Sequence, residues 1–440
     1  MEEAGAVRNP PSRWLIAIMG TLLQVCLGTV YAWSYFQKPV MNAFGLENNK
    51  PVTLAFSVAI CFLGIAAAWG GINLSKHGPR KLAMTGGALF AAGYLLAALA
   101  LYWKSLALLY VGYGVIGGIG LGLSYVTPVA TAAKWFPDKK GLVTGMVVMG
   151  FGFGALLMSK VLAPLLMSWT GGNLVTVFAA LGVLFAVLTL VPASFLKNPP
   201  AGCAPAGCVP AKPKGASGPA TAEEASALVC LGGFKFAMMW IMFFCNITAG
   251  ISIISLQSPL MQDLWKRIDP SLAAAVLAGY GATLIAISSL FNGAGRFFWG
   301  GLSDRIGRIQ AFRTMLVTQI VGFGLLIWTG NPWIFGALVC YVLLCYGGGF
   351  GTMPSFVLDV YGPRMMPVMY GVILTAWSAG GIVGPLIFAA IKDQFAKDTA
   401  RAATYSFITA GAFLAVGLAV SLWLTNEPFR PKTSRAGSRP

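Results

Sequence analysis

Twelve long apolar stretches, separated by short polar segments, constrain the fold of this 440-residue chain more than any other feature. A helix needs about 20 predominantly apolar residues to cross the hydrocarbon core of a bilayer. The stretches are continuous rather than alternating, which disfavours a β-barrel. The sequence therefore predicts an all-α membrane protein with twelve transmembrane helices, at residues 14–36, 52–73, 81–102, 105–128, 142–166, 174–195, 234–257, 272–298, 310–330, 333–357, 367–391 and 404–425.

The composition argues against several classes of protein. Hydrophobic residues make up 57% of the chain and charged residues 10%, whereas soluble domains contain about 25% charged residues. A soluble enzyme, a disordered chain and a secreted disulfide scaffold are all disfavoured by this balance. One glycine pattern, from Gly112 to Gly117, fits a nucleotide-binding loop, but it lies inside an apolar span without the strand that such a loop requires. We expect neither enzymatic activity nor a bound cofactor or metal.

The net charge of +17 is explained by the loops and tails. In membrane proteins, Lys and Arg collect in cytoplasmic loops. Here most basic residues fall on one side of the predicted spans, and the loops between spans five and six and between spans nine and ten contain none. We therefore predict a cell-membrane protein with both termini in the cytoplasm. The lipid bilayer, and not nucleic acid, is its expected partner.

The chain divides into two similar halves. A shift of 226 residues places Gly122 on Gly348 and Pro128 on Pro354. Two six-helix halves joined by a long linker resemble the major facilitator fold, in which such repeats enclose a binding site near the midplane. The predicted divisions are a first half at 1–196, a cytoplasmic linker rich in Pro, Ala and Gly at 197–233, a second half at 234–428 and a basic cytoplasmic tail at 429–440.

Glycines four residues apart predict where helices approach closely. Gly141 with Gly145, at the start of the fifth span, and Gly150 with Gly154, within it, form two such pairs. Small residues at this spacing let two helix backbones pack against each other in a membrane. We expect these helices to slide as the two halves rock.

The loop from Gly300 to Arg308 resembles the loop signature of major facilitator transporters. Its acidic and basic side chains can pair with helix ends and hold the cytoplasmic side closed while the other side is open. The first half contains a second copy of this loop, in which Ser75 stands at the position of Asp304. This copy is therefore expected to hold the cytoplasmic side closed more weakly. The predicted latch residues are Asp304, Arg305, Arg308, Lys76 and Arg80.

Arg296 is the basic residue placed most unusually, toward the end of the eighth span. An arginine inside a membrane costs at least about 2.5–3.5 kcal/mol unless it faces a cavity or a partner. No acid lies nearby in the sequence, and Asn292 lies one helical turn earlier on the same face. An unpaired guanidinium in a cavity is suited to binding a carboxylate through two parallel hydrogen bonds. The alternative is that Arg296 extends along the helix to the cytoplasmic phosphates.

Four stretches of the sequence resemble the oxalate/formate antiporter and monocarboxylate transporter branch of the major facilitator superfamily. They are 31–33, 134–141, 291–300 and 370–371, in the first, fourth-to-fifth, eighth and eleventh spans or loops. The resemblance covers essentially all of the transmembrane chain. It implies a transporter that works by alternating access of two rocking halves.

The resemblance also implies roles for individual residues. Arg296 matches the arginine that binds the substrate carboxylate, and Tyr31 and Tyr125 match tyrosines that bracket the substrate. Tyr346 falls where the oxalate carrier has a pocket tryptophan, and Phe350 replaces a pocket tyrosine. Asn292 is expected to offer a further hydrogen bond.

Trp377 is the informative departure from the family. The matching position in the oxalate-type carrier resembles a lysine that meets a second carboxylate. Without that cation, one charge of a dicarboxylate would be left unpaired in a low-dielectric cavity, at considerable cost. The sequence therefore favours a small monocarboxylate, such as lactate or pyruvate, over oxalate.

The coupling ion is left open by the sequence. Relatives of the mammalian type have an acid where Asn292 stands, so a coupled proton would use Asp359 or travel with the carboxylate itself. Anion exchange of the oxalate/formate type is the alternative. A membrane sensor and a channel are more remote, because the 37-residue linker holds no signalling domain and the chain lacks a pore loop or a ring of charges.

Overall fold

The computed structural model describes residues 12–47, 50–199, 227–395 and 398–429. These residues form helices joined by short turns, with no β-strand among them. Most of the predicted linker (197–233) and nearly all of the predicted tail (429–440) lie outside the described residues, so both divisions stay predictions.

We number twelve membrane helices in chain order within the described residues. A kink at Gly362, whose φ of 75° suits glycine, divides one long helical segment into two of them. A short helix, Ala227–Leu231, precedes the seventh. The twelve are α1 (Arg13–Gly28, Thr29–Ala32 and Trp33–Phe44), α2 (Lys50–His77), α3 (Pro79–Tyr102), α4 (Leu106–Leu109, Tyr110–Gly117 and Gly118–Trp135), α5 (Lys140–Leu157, Met158–Leu162 and Ala163–Trp169), α6 (Leu174–Phe195), α7 (Phe234–Ile268), α8 (Ala274–Ile306), α9 (Arg308–Trp328), α10 and α11 (the two parts of Pro332–Gln394) and α12 (Thr399–Ser421).

Ten helical segments of the described chain are long and apolar enough to cross a membrane. One of them, Pro332–Phe388, holds both α10 and α11. The helix α8 is not among the ten, and it carries the buried polar residues Asn292 and Arg296. The prediction of an all-α chain with twelve long, largely apolar helices is confirmed for the described residues.

Several helices run further than their predicted spans. The helix α7 ends at Ile268 instead of 257, and α8 ends at Ile306 instead of 298. The extensions contain charged residues such as Asp263 and Asp304, which lower the hydropathy without interrupting the backbone hydrogen bonds. Hydropathy therefore predicts the apolar part of a membrane helix and not its polar ends.

The halves meet along two seams that are rich in glycine. In the first, between α5 and α8, a Cβ built on Gly145 would lie 2.5 Å from the carbonyl oxygen of Arg296, and one built on Gly152 would overlap the backbone of Gly293. In the second, between α2 and α11, a Cβ on Gly71 would overlap the carbonyl of Pro367. Of the predicted glycine pairs, Gly141 and Gly145 thus lie in the seam between α5 and α8, whereas Gly150 and Gly154 lie against the backbone of α1 within the first half.

Candidate functional site

Arg296 is fully buried, at 0% exposure, between the two halves. Its Nε donates to Oδ1 of Asn292 at 3.4 Å, and its Nη1 donates to the carbonyl of Val148 on α5 at 3.3 Å. Its Nη2 has no hydrogen-bond partner, and no ion pair among the described residues includes Arg296. The guanidinium therefore stays inside the protein and does not reach toward the bilayer surface.

Two phenyl rings flank the guanidinium. The Cζ atom of Arg296 lies 4.8 Å from the ring centre of Phe350 and 5.3 Å from that of Phe151. Cation–π contacts of this kind contribute about 0.5–2 kcal/mol each, depending on desolvation. The rings reduce the free-energy cost of burying the charge, but they do not provide a hydrogen-bond acceptor for Nη2.

Aromatic residues from both halves enclose the arginine. Trp377 on α11 has ring-centre distances of 5.3 Å to Tyr125 on α4 and 5.0 Å to Phe350 on α10. The hydroxyl groups of Tyr31 on α1 and Tyr346 on α10 lie 3.5 Å apart and link the halves. We call this set the Arg296 cluster; its members are Arg296, Asn292, Tyr31, Tyr125, Phe151, Tyr346, Phe350, Tyr370 and Trp377.

Two further hydroxyl groups of the cluster are buried without a hydrogen bond of good geometry. The hydroxyl oxygens of Tyr125 and Tyr370 accept or donate no hydrogen bond of good geometry among the described residues. Tyr125 lies beside both Tyr370 and Arg296. Buried polar groups in folded proteins are nearly always well paired, so the poor pairing of these three groups leaves hydrogen-bonding capacity that a ligand could use.

The structure brings together all the residues that the sequence predicted as substrate-binding. It also adds Phe151 and Tyr370, which the sequence analysis did not place in the site. Phe151 precedes the seam glycine Gly152, and Tyr370 precedes the seam glycine Gly371. The sequence signal that could have identified both residues is an aromatic residue next to a glycine of a seam between the halves.

The predicted latch residues differ in what they contact. Asp304 at the end of α8 accepts hydrogen bonds from the backbone N–H groups of Gly141 and Leu142, at 3.0 and 2.9 Å, across the seam. Its Oδ1 also lies 2.6 Å from Nη2 of Arg308. Because Gly141 and Leu142 begin α5, the carboxylate lies at the N-terminal end of a helix dipole, where negative charge is stabilised. Arg305, Lys76 and Arg80 are exposed and form no ion pair with another described residue.

Asp359 joins the same network. Its carboxylate accepts from Lys140 on α5 at 3.1 Å and from Nε of Arg308 on α9 at 2.8 Å, and so bridges the halves. We call this side of the molecule the basic face; it is defined by Arg13, Asp138, Lys140, Asp304, Arg308 and Asp359. Asp359 follows Phe350 by nine residues of α10, about 13.5 Å along a helix, and does not belong to the Arg296 cluster.

A family model described as the Major Facilitator Superfamily matches residues 12–385. The oxalate:formate antiporter of Oxalobacter formigenes is 27% identical over 397 residues, covering 88% of this chain and 87% of that protein. The apicoplast pyruvate carrier 1 of Toxoplasma gondii is 28% identical, covering 84% and 82%. Monocarboxylate transporter 13 of Rattus norvegicus is 26% identical, covering 97% and 92%.

Solved structures show the same fold. The proton:xylose symporter XylE superposes with a TM-score of 0.69 at 13% identity, covering 93% of this chain and 94% of that one. The transporter FucP in its outward conformation superposes with a TM-score of 0.65 at 15% identity, covering 93% and 99%. At these identities the likeness concerns the arrangement of the helices alone.

Proposed function

Because the chain belongs to the Major Facilitator Superfamily, we propose that it transports small monocarboxylates of the lactate and pyruvate class across the cell membrane. It works by alternating access, and a proton is the coupled ion. The observation that carries the proposal is the unpaired Nη2 of the fully buried Arg296. A carboxylate placed there would receive a charge-assisted hydrogen bond and neutralise the only charge of the cluster.

The number of cations in the cluster supports a monocarboxylate. Arg296 supplies one positive charge, and no acidic side chain belongs to the cluster as described. The indole of Trp377 stands where a second cation would be needed for a dicarboxylate. It packs against four rings, those of Tyr31, Tyr125, Phe151 and Phe350. The names of the relatives include formate, pyruvate and monocarboxylate as well as oxalate, so every named substrate carries a carboxylate.

The position of the cluster supports alternating access. Side chains of α1, α4 and α5 meet side chains of α8, α10 and α11 around the arginine, so substrate contacts both halves at once. The basic face is held closed by Asp304 and Asp359. Reorientation of an empty site would move an uncompensated charge, whereas the neutral arginine–carboxylate pair moves at lower cost.

The membrane potential argues for a coupled ion. Moving one net negative charge into a negative cell costs about 2.3 kcal/mol per 100 mV. A proton carried with the anion removes this cost, and Asp359 is a candidate carrier because opening the basic face would separate it from Lys140. Exchange for another monoanion also removes the cost, and the name of the oxalate:formate antiporter favours this second candidate.

The test uses purified protein in proteoliposomes with labelled lactate, pyruvate, formate and oxalate. We expect empty vesicles to accumulate lactate or pyruvate when an inward proton gradient is applied. Uptake that requires a preloaded carboxylate and ignores the gradient would establish exchange instead. Saturable uptake of none of the four acids would contradict the proposed substrate class.

A further inference from the structure

The segment that follows α12, residues 425–429, lies against the second half beside the basic face, and we call it the strap. At the start of α7, Nζ of Lys235 donates to the carbonyl of Glu427 at 2.6 Å. The ring of Phe429 packs on that of Tyr361 at the end of α10, with 5.6 Å between the ring centres. These contacts fix the strap to two helices of the second half.

One strap residue completes the start of α9. The first backbone N–H groups of a helix have no partner within it, and the side chain of the residue before the helix commonly accepts from one of them. The residue before α9 is Gly307, which has no side chain to do so. Instead, Oδ1 of Asn426 accepts from the backbone N–H of Ile309 at 3.0 Å. A residue 117 positions from Ile309 thus caps the helix that begins with Arg308.

A second strap residue completes the end of α10. The break at Gly362 ends this helix, and the last carbonyl groups of a helix need partners from outside it. The backbone N–H of Phe429 donates to the carbonyl of Val360 at 2.8 Å. The residue directly before Val360 is Asp359.

The two backbone contacts of the strap therefore flank one ion pair. Ile309 follows Arg308 in the sequence and Val360 follows Asp359, and Nε of Arg308 lies 2.8 Å from Oδ2 of Asp359. Asp359 in turn pairs with Lys140 of the first half at 3.1 Å. The strap thus holds the two helix ends from which the second half reaches across to the first.

The first half has a comparable arrangement after α6. Nε1 of Trp135, the last residue of α4, donates to the carbonyl of Lys197 at 2.7 Å, and Nζ of Lys134 donates to Oδ1 of Asn198 at 3.2 Å. In each half, the segment after the sixth helix therefore holds the end of the fourth. This recurrence indicates that the arrangement belongs to the repeated unit.

We propose that the strap determines how firmly the basic face closes, with Asn426 as the positioning residue for Arg308 and Phe429 as that for Asp359. In the closed face Asp359 and Asp304, both paired with Arg308, bind the start of α5. An opened face makes no such contacts and does not need these side chains aligned. Loosening the start of α9 or the end of α10 therefore disfavours the closed face more than the opened one and shifts the population toward opening. The proposal uses the alternating access proposed above and is independent of the substrate.

The test measures the distance between the halves. Spin labels are attached at Lys81→Cys near the start of α3 and at Arg305→Cys at the end of α8, two exposed positions. The full chain is used in nanodiscs, with its eight native cysteines replaced by serine. Double electron–electron resonance then gives the ratio of opened to closed molecules. Each variant is measured alone and together with Lys140→Gln, which removes one contact between the halves and so populates the opened state.

Asn426→Ala should raise the ratio of opened to closed molecules about two- to fivefold, the lower part of the range for a lost helix cap, because Asn426 is exposed. Asn426→Asp keeps an acceptor at the same place and should keep the ratio of the unchanged chain. Phe429→Ala removes the ring contact with Tyr361 and should shift the ratio in the same direction as Asn426→Ala.

Asn331→Ala is the matched control. Asn331 is another exposed asparagine of the second half, and its Oδ1 caps the start of α10 by accepting from the backbone N–H of Trp333 at 2.8 Å. It lies at the opposite end of α10 from Asp359. Its loss should lower the melting temperature about as much as Asn426→Ala does and leave the ratio unchanged.

Two results would overturn the role of the strap alone. One is a lower melting temperature of Asn426→Ala with an unchanged ratio in both backgrounds, which would show a merely structural cap. The other is an equal shift of the ratio in Asn331→Ala. A single distance in every variant, Lys140→Gln included, would contradict the opening movement itself and with it the alternating access on which the proposal rests.

Discussion

Replacing Arg296 by methionine should make the protein more stable and weaken the binding of its substrate. Methionine fills a similar length and carries no charge. Taking an unpaired cation out of water costs several kcal/mol. In the structure this cost is offset by hydrogen bonds of 3.3 and 3.4 Å and by two phenyl rings. These contacts recover about 1 kcal/mol per hydrogen bond and about 0.5–2 kcal/mol per ring. We therefore expect Arg296→Met to stabilise the empty protein by about 1–3 kcal/mol.

The same change removes the contacts that a carboxylate would make. One charge-assisted hydrogen bond from Nη2, at about 1.5–3 kcal/mol, amounts to about one to two orders of magnitude in affinity. Lactate at about 100 times its dissociation constant should stabilise the wild-type protein by about 2.7 kcal/mol and the variant by only about 0.4–1.4 kcal/mol. Thermal melts in detergent, with and without lactate, measure both effects in one experiment.

Arg308→Met is the matched control. Arg308 is also buried, but it is paired with Asp304 and Asp359, whose side chains are 26% and 28% exposed. Its removal leaves two carboxylates without their partner and should destabilise the protein by about 1–3 kcal/mol. If Arg296→Met lowers the melting temperature as Arg308→Met does, and lactate stabilises it as much as the wild type, then Arg296 is a structural residue and the reasoning fails.

Three other changes probe selectivity, the polar groups of the cluster and coupling. Trp377→Lys should raise the oxalate-to-lactate uptake ratio, because it adds a second cation; a wild-type preference for oxalate would contradict the one-cation argument. Tyr370→Phe should weaken lactate binding about three- to tenfold, measured by calorimetry. The control Tyr361→Phe removes another unpaired buried hydroxyl outside the cluster and should have no effect. Asp359→Asn should abolish proton-driven accumulation while exchange persists; a parallel change in both rates would show that Asp359 only clamps the basic face.

The fold was predictable because the membrane imposes it. Every backbone group in the hydrocarbon region must be paired within the protein, so a long apolar stretch has essentially one solution, the helix. The break in α1 at Thr29–Ala32 was not predictable in this way. It depends on tertiary packing: the same stretch includes Tyr31, whose ring contacts Phe151 and Trp377.

The site was predictable where burial of a polar group conflicts with the membrane. Arg296 stands out in an apolar stretch, because burying its charge in a membrane costs free energy and is expected only where the charge has a function or a partner. Phe151 carries no such signal, since a phenylalanine in a membrane helix is ordinary. Only the packing of α5 against α8 places its ring 5.3 Å from the guanidinium. Likewise, the pairing of Asp359 with Lys140 joins residues 219 positions apart and has no trace in local sequence.

The backbone and the side chain of Arg296 face different constraints. The carbonyl lies against Gly145 of α5 and Gly351 of α10, where even a single carbon atom added to either glycine would collide with it. The side chain lies among rings that differ in size and polarity and that belong to five helices. Random substitution should therefore be tolerated very unevenly at this depth of the molecule. The aromatic residues can be exchanged one at a time, and each exchange can change the substrate, whereas the glycines of the sliding contact can hardly be replaced. Descendants of such a chain would therefore diversify in substrate long before the movement of the two halves changes.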